Sequence, residues 1–177
     1  FMVVGIVAYG LRVVVRDMIF PGLRYTISGT TVHGTTLELT LRPDGDRLQH
    51  QSGQFAVVKG QKPGLSEPHI FTIASGPDEP ALRFFIRDLG DWTTKMQTAD
   101  LLGATVVVEG PYGRFEPTLS HTSRTVWVAG GVGITPFLSA SHTLDPAPEG
   151  ERPVLFYAVR SVDDAMVHSV ELFEKGL

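Results

Sequence analysis

The chain has 177 residues, of which 42% are hydrophobic, and a formal net charge of −4 at pH 7. This apolar content is sufficient for one folded core or two small ones and excludes a disordered chain, while the scattered lysines and arginines argue against a nucleic-acid partner. The absence of cysteine excludes disulfides, thiolate zinc sites and cysteine-ligated iron–sulfur clusters from this chain. Redox chemistry would therefore need a bound organic cofactor or another part of the molecule.

The amino-terminal residues 1–20 differ from the rest of the sequence. Residues 1–11 carry no charge, and Arg12 and Arg16 then follow. A membrane-spanning helix needs about 20 apolar residues, so this run fits only the last part of one, with the arginines on the positive-inside face. A buried terminal strand or helix of a globular protein fits the same residues.

From Pro21 to Pro117 the pattern is that of an all-β unit, with polar and apolar residues alternating between turn signals. Six short strands suggest a closed antiparallel barrel, which one helix at Trp92 to Leu101 interrupts. The predicted strands are Tyr25 to His33, Thr36 to Leu41, Gln54 to Lys59, His69 to Ala74, Leu82 to Arg87 and Thr105 to Glu109.

After Thr122 the pattern changes to one typical of a parallel α/β unit. The stretch TVWVAGGVGITPFLSASHTL reads as an apolar strand, a glycine turn and a helix, and PVLFYAVR reads as a second strand. A further helix is predicted to start at residues 167–175. Two strands are fewer than such a domain needs, so we expect it to be truncated at its carboxyl end.

The glycine turn AGGVGITPF, residues 129–137, has the composition of a phosphate-binding loop. Glycines at a strand end allow close approach of a ligand, and the next helix start presents free N–H groups to pyrophosphate. The spacing departs from the dinucleotide fingerprint, because Pro136 stands where glycine or alanine is usual. An ordinary strand-to-helix turn remains the alternative.

Four stretches taken in order resemble the ferredoxin–NADP reductase superfamily, and most closely the dehydrogenase half of bacterial ferric reductases and NADPH oxidases. They are HIFT at 69–72, IRDLGDWT at 86–93, EGPYGRF at 109–115 and AGGVGITPF at 129–137. The resemblance implies a Greek-key, six-stranded antiparallel FAD-binding β-barrel over residues 22–118, followed by an incomplete parallel α/β NAD(P)H-binding domain over residues 119–177.

The same resemblance bears on the amino terminus and on location. The membrane branch of the superfamily has a haem-bearing helical domain just before the barrel. Residues 1–21 are therefore expected to be the end of a membrane helix and a linker, with this chain at the cytoplasmic face of the membrane. Haem would be bound only outside this chain.

The resemblance assigns the flavin strand to HIFT. Phe71 would stack on the isoalloxazine ring, and the Thr72 hydroxyl would lie near flavin N5, so these two are the candidate catalytic residues. His69 replaces the arginine of soluble members and would approach the ribityl or phosphate part of FAD. Ile70 stands where the oxidase-like branch usually has proline. The alternative is that HIFT is only a strand of the barrel wall, with Phe71 in the core.

The second flavin segment contains Arg87, Gly90, Trp92 and Thr93. Arg87 would pair with the FAD pyrophosphate as a charged donor, and the helix that follows Gly90 would present N–H groups to the same phosphates. The Thr93 hydroxyl is expected to be a ligand, and Trp92 is expected to shield the cofactor.

In the nucleotide domain the resemblance implies that the pyrophosphate loop of NAD(P)H consists of Gly131, Gly133, Ile134 and Thr135, with Pro136 at the first helical position. Arg160, at the end of the next strand, would read the adenosine or its 2′-phosphate. This favours NADPH only slightly over NADH.

The predicted function is that of an NAD(P)H-dependent FAD oxidoreductase of the NADPH oxidase or ferric reductase type. Hydride would pass from NAD(P)H to FAD, and single electrons would pass on to haem and then to dioxygen or ferric iron. The alternatives are a soluble flavin reductase that serves a separate acceptor protein, a non-catalytic flavin-binding regulatory module, and a barrel used only for protein contacts. The histidines are isolated, so no metal site is predicted.

Overall fold

The computed structural model describes residues 22–117, 125–143, 153–161 and 164–166. The predicted membrane-helix end at residues 1–21 and the predicted helix at residues 167–175 lie outside these ranges. The predicted domain boundary at residues 118 and 119 also falls outside them and stays a prediction. Within the described ranges no helix has the length and hydropathy to cross a membrane.

The barrel strands confirm the sequence prediction to within a few residues. One helix, α1 (Asp91–Thr98), lies between the fifth and sixth strands and ends three residues earlier than predicted. The strands are β1 (Leu23–His33), β2 (Thr36–Pro43), β3 (Phe55–Gly60), β4 (Pro68–Thr72), β5 (Leu82–Arg87) and β6 (Thr105–Tyr112).

These six strands form one antiparallel sheet in the order β4-β3-β6-β1-β2-β5. The sheet curls so that its two edges meet just beyond β4, where the Ala74 N–H donates to the Arg83 carbonyl at 2.9 Å. The curling gives the sheet an inside, and alternate residues of each strand point into it. The predicted Greek-key barrel is thereby confirmed.

The core of the barrel is apolar and includes one phenol. The Tyr25 hydroxyl is buried and accepts a hydrogen bond from the Leu48 N–H at 2.8 Å. Burial raises the pKa of Tyr25, because ionisation would place a charge in this core. Among the fully buried neighbours of Tyr25 in the core are Ile27, Leu37, Leu39, Leu41, Leu82, Phe84 and Ile86.

The second unit contains the predicted strand, glycine turn, helix and strand. Strand β7 (Val126–Gly130) leads into one 3₁₀ turn (Gly131–Ile134), then into helix α2 (Thr135–Ser141), and strand β8 (Val154–Ala158) pairs parallel to β7. Pro136 is the second residue of α2, one position later than predicted. Its missing N–H falls in the first turn, where the N–H groups have no partner within the helix.

An apolar cluster joins the two units. Ala74 and Phe85 of the barrel pack with Trp127 of β7 and with Ile134 and Phe137 around the start of α2. Trp127 and Phe137 stack with ring centroids 5.1 Å apart. This burial holds the glycine turn against the barrel beside β4 and β5.

One titratable contact at the far end of α2 has a shifted pKa. His142 Nε2 lies 3.1 Å from Glu79 Oε1 and 3.0 Å from Arg83 Nη2. Burial lowers the pKa of His142, the Glu79 carboxylate opposes that effect, and the Arg83 charge adds to it. The folded protein therefore favours the neutral imidazole.

We expect the free energy of unfolding to fall as the pH drops below about 6.5, the ordinary histidine pKa. In that window the unfolded chain binds a proton at His142 more readily than the folded chain does, so protonation favours unfolding. Urea titrations at about pH 7.5 and 5.5 measure this effect. His142→Gln should reduce the pH dependence, and an unchanged dependence in that variant would contradict the assignment.

Candidate functional site

A cleft of about 680 Å³ opens between β4, the start of α1 and the turn after β7. Its size lies in the range of small-molecule and cofactor sites. The cleft brings together predicted residues from three motifs that are far apart in the sequence. These residues are His69, Phe71, Thr72, Arg87, Gly90, Trp92, Thr93, Gly133 and Thr135.

One wall of the cleft is aromatic. The rings of Phe71 and Trp92 stack with centroids 5.9 Å apart. The centroid of the His69 ring lies 3.9 Å from that of Trp92 and 6.3 Å from that of Phe71. Behind Phe71 lies Phe84 of the barrel core, at 6.4 Å. Phe71 is therefore held from behind while it lines the cleft, as a ring that stacks on a flat ligand must be.

Two polar atoms of this wall are buried without a hydrogen-bond partner among the described residues. They are His69 Nε2 and Trp92 Nε1. Glu67 approaches His69 Nε2 only to 3.8 Å, which is beyond hydrogen-bonding distance. Buried polar atoms are rarely left unpaired in native proteins, so this wall fits a ligand that carries hydrogen-bonding groups.

The loop before α1 is shaped by threonine side chains. Thr93 Oγ1 accepts hydrogen bonds from the N–H groups of Leu89 at 2.9 Å and Gly90 at 3.0 Å. Thr94 Oγ1 donates to Asp88 Oδ1 at 2.6 Å. The Thr93 hydroxyl thus already orders the turn, and its predicted role as a phosphate ligand stays a prediction. A side chain at Gly90 would meet only open space.

Arg87 lies at the end of β5 and lines this cleft and a second cavity of about 280 Å³. Its Nη1 lies 3.5 Å from the point where a side chain at Gly131 would begin. The second cavity contains the remaining predicted arginine, Arg160, together with Gly131. Its other lining residues are Thr35, Thr36, Val132, Ala158, Val159 and Asp164.

The charge of the smaller cavity favours an anion. Arg87 and Arg160 line it with one carboxylate, Asp164, whereas the larger cleft has one guanidinium, Arg87, and one carboxylate, Asp91. Guanidinium groups bind phosphate and carboxylate oxygens with paired, charge-assisted hydrogen bonds. A ligand with phosphates that spans both cavities would meet Arg87 at their junction.

The turn after β7 is built for close approach of a ligand. Gly131 has a positive φ of 49°, and a side chain added at Gly133 would meet nothing within 4 Å. Thr135 is 4% exposed, and its hydroxyl donates to the Val132 carbonyl at 3.1 Å. Ile134 is fully buried and lines neither cavity, so its predicted contact with a cofactor stays a prediction.

Several lining residues were not predicted from the sequence. Ile70 and Leu89 are exposed apolar side chains at the larger cleft, and Thr35 and Asp164 belong to the smaller cavity. Ile70 and Leu89 lie inside the HIFT and IRDLGDWT stretches, so proximity to those motifs was the available signal. Thr35, at the turn between β1 and β2, lies in no recognisable motif. In the described ranges no three histidine or acidic side chains cluster as a metal site would require.

Residues 25–116 match the FAD-binding domain family. Human dual oxidase 1 is 33% identical over 106 residues, which are 55% of this chain and 7% of that protein. A superoxide-generating NADPH oxidase heavy chain of Dictyostelium discoideum is 27% identical over 122 residues, which are 58% of this chain and 18% of that protein. The chain thus spans a small part of the length of these relatives.

Solved structures share the fold at low sequence identity. The flavohem-like FAD/NAD-binding domain of nitric oxide dioxygenase from Vibrio cholerae has a TM-score of 0.74 and 18% identity, covering 88% of this chain and 70% of that one. Ferredoxin-NADP+ reductase from Plasmodium falciparum has a TM-score of 0.71 and 15% identity, covering 87% and 67% respectively.

The family match covers more than half of the chain, and the structural similarities include the second, parallel unit as well as the barrel. The predicted resemblance is thereby confirmed. The chain belongs to the FAD-binding domain family, its relatives include dual oxidases and NADPH oxidases, and it shares its fold with ferredoxin-NADP+ reductase.

Proposed function

We propose that this chain binds FAD in the larger cleft and NAD(P)H along the glycine turn and the smaller cavity, and that it catalyses hydride transfer between them. The observation that carries the proposal is the convergence of separate motifs on two adjacent cavities that share Arg87. When bound, FAD supplies a hydride acceptor that can release electrons one at a time. The protein supplies orientation and charge.

The flavin side of the proposal rests on β4. Phe71 stacks on the isoalloxazine, backed by Phe84. The Thr72 hydroxyl lines the cleft and makes no side-chain hydrogen bond to another described residue, so it is available to the reactive nitrogen of the flavin. His69 and Arg87 face the ribityl chain and the pyrophosphate.

The nucleotide side rests on the turn Gly131–Ile134 and on Arg160. A 2′-phosphate would pair with Arg160, whereas a 2′-hydroxyl would suit the Asp164 carboxylate. Two arginines against one carboxylate favour the phosphate, and hence NADPH. The Plasmodium reductase of the same fold was solved with 2′P-AMP, a fragment that carries this phosphate.

The onward path of electrons is proposed from the resemblance and from the relatives. The dual oxidase and superoxide-generating NADPH oxidase relatives favour transfer to haem in a membrane domain and then to dioxygen, with this chain at the cytoplasmic face. Ferric iron is the alternative final acceptor. The fold shared with ferredoxin-NADP+ reductase supports a soluble flavin reductase as the second candidate.

Anaerobic mixing of the FAD-loaded protein with NADPH or NADH tests the proposal. We expect the flavin absorbance to bleach, and to bleach at lower concentrations of NADPH than of NADH. An FAD-loaded protein that neither nucleotide bleaches would be a regulatory module instead. Oxygen uptake compared with ferric reduction, in a preparation that contains haem, then separates the two final acceptors.

Gly133→Ala is expected to leave the fold intact but to weaken NADPH binding to the FAD-loaded protein about tenfold or more, because Gly133 belongs to the glycine turn assigned to NAD(P)H and the added methyl group enters open space there. Gly130→Ala is the matched control, since its methyl group also meets open space but Gly130 lines neither cavity. Titration of NADPH against both variants gives the comparison. Equal affinities would place the dinucleotide elsewhere.

A further inference from the structure

Buried serine side chains tie helix α2 to the barrel. Ser139 Oγ donates to the Ser75 carbonyl at 2.7 Å, and Ser52 Oγ donates to the Ser139 carbonyl at 3.1 Å. Ser75 and Ser139 are 0% exposed. The two hydrogen bonds therefore join the barrel to the second unit in a buried region, where such bonds are strong and directional.

The Ser139 side chain makes its hydrogen bond outside its own helix, unlike the Ser141 side chain. Ser141 Oγ donates to the Leu138 carbonyl at 2.7 Å, which is the usual local bond of a helical serine. Ser139 instead reaches out of the helix to another element. Ser139 therefore lacks the local helical hydrogen bond and instead makes one that fixes the position of α2 relative to the barrel.

The hydrogen bond between Ser139 and Ser75 lies a few residues along the chain from both walls of the larger cleft. Ser75 comes three residues after Thr72, and Ser139 comes four residues, or about one helical turn, after Thr135. Thr72 and Thr135 line the same cleft. A shift of α2 relative to Ser75 would therefore move the glycine turn relative to the flavin strand.

We propose that Ser139 is a positioning residue for hydride transfer, which sets the spacing between the flavin strand and the turn that carries the nucleotide. The proposal rests on the proposed function, in which the donor carbon must lie about 3 to 3.5 Å from the acceptor nitrogen. Since transfer rates fall steeply when donor and acceptor are misplaced, loss of this hydrogen bond between α2 and the barrel should affect the rate of transfer more than the affinity for either cofactor.

A distance measurement on the protein without cofactors provides the first test. The chain has no cysteine, so Val32→Cys and Val128→Cys introduce two unique labelling sites, at 53% and 73% exposed positions of β1 and β7. Double electron–electron resonance between attached spin labels should give a narrow distance distribution. Adding Ser139→Ala should broaden or shift it, whereas Ser141→Ala, the matched control, should not. Identical distributions would overturn the proposal.

The second test measures flavin reduction in the intact, FAD-loaded protein at saturating NADPH. Ser139→Ala should lower the limiting rate about tenfold with FAD affinity within about twofold of wild type, and should change the deuterium isotope effect of NADPH labelled at the transferred position. Ser141→Ala should match wild type. A wild-type rate and isotope effect in Ser139→Ala would overturn the proposal.

Failure of the proposed function is distinguishable from failure of this inference. If neither nucleotide reduces the wild-type flavin, the proposed function is wrong, and the spin-label comparison still decides whether Ser139 holds the two units together. If Ser139→Ala does not fold, Ser52→Ala removes the reciprocal bond and leaves Ser139 in place. It should change the distance distribution and the rate in the same direction by a smaller amount, and no change in either would overturn the proposal.

Discussion

Replacement of Phe71 by alanine is expected to weaken FAD binding by about 1 to 3 kcal/mol, which is the contribution of burying and stacking one aromatic ring. Phe71 lies beside the rings of His69 and Trp92 at the cleft surface and is supported by Phe84. Its loss would leave the isoalloxazine facing a gap in this wall. Fluorescence titration of FAD against the wild-type and variant proteins measures the difference.

Phe156→Ala serves as the matched control for Phe71→Ala. Phe156 has the same side chain, lies exposed on β8 and lines neither cavity. Its replacement should leave FAD affinity at the wild-type value. A folded Phe71→Ala protein that binds FAD as tightly as this control would show that the flavin does not stack on Phe71.

Replacement of Arg87 by glutamine should weaken the binding of both cofactors, by about 1.5 to 3 kcal/mol each, the range for hydrogen bonds to charged groups. The reason is its position at the junction of the two cavities, beside Gly131. Separate titrations with FAD, and with NADPH on the FAD-loaded protein, measure the two losses. Raising the salt concentration should reduce the difference between wild type and variant.

Arg24→Gln removes the same charge at an exposed position of β1 that lines neither cavity. It should leave the affinities for FAD and NADPH close to their wild-type values, because salt largely screens a charge that is distant from the cofactors. A loss of FAD binding without a loss of NADPH binding in Arg87→Gln would mean that the smaller cavity is not part of the dinucleotide site.

Local patterns were enough to predict the barrel strands and the residues of each motif. The apolar residues Leu37, Leu39 and Leu41 alternate along β2, and all three are buried. Alternation is a property of neighbouring residues, because successive side chains of a strand point to opposite faces. His69, Phe71 and Thr72 were predicted together because the HIFT stretch resembles the flavin strand of the superfamily, and all three line the larger cleft.

Contacts between distant parts of the chain depend on how the elements pack, and no local pattern encodes them. The sequence assigned Arg87 to FAD alone, but packing of β5 beside the glycine turn makes it line both cavities. Thr93 was predicted as a ligand, yet its hydroxyl bonds to the backbone of its own turn. The Ser139 bond to Ser75 joins residues 64 positions apart. Such pairings arise because folding buries polar groups where the elements meet, and most buried polar groups are hydrogen-bonded in native proteins.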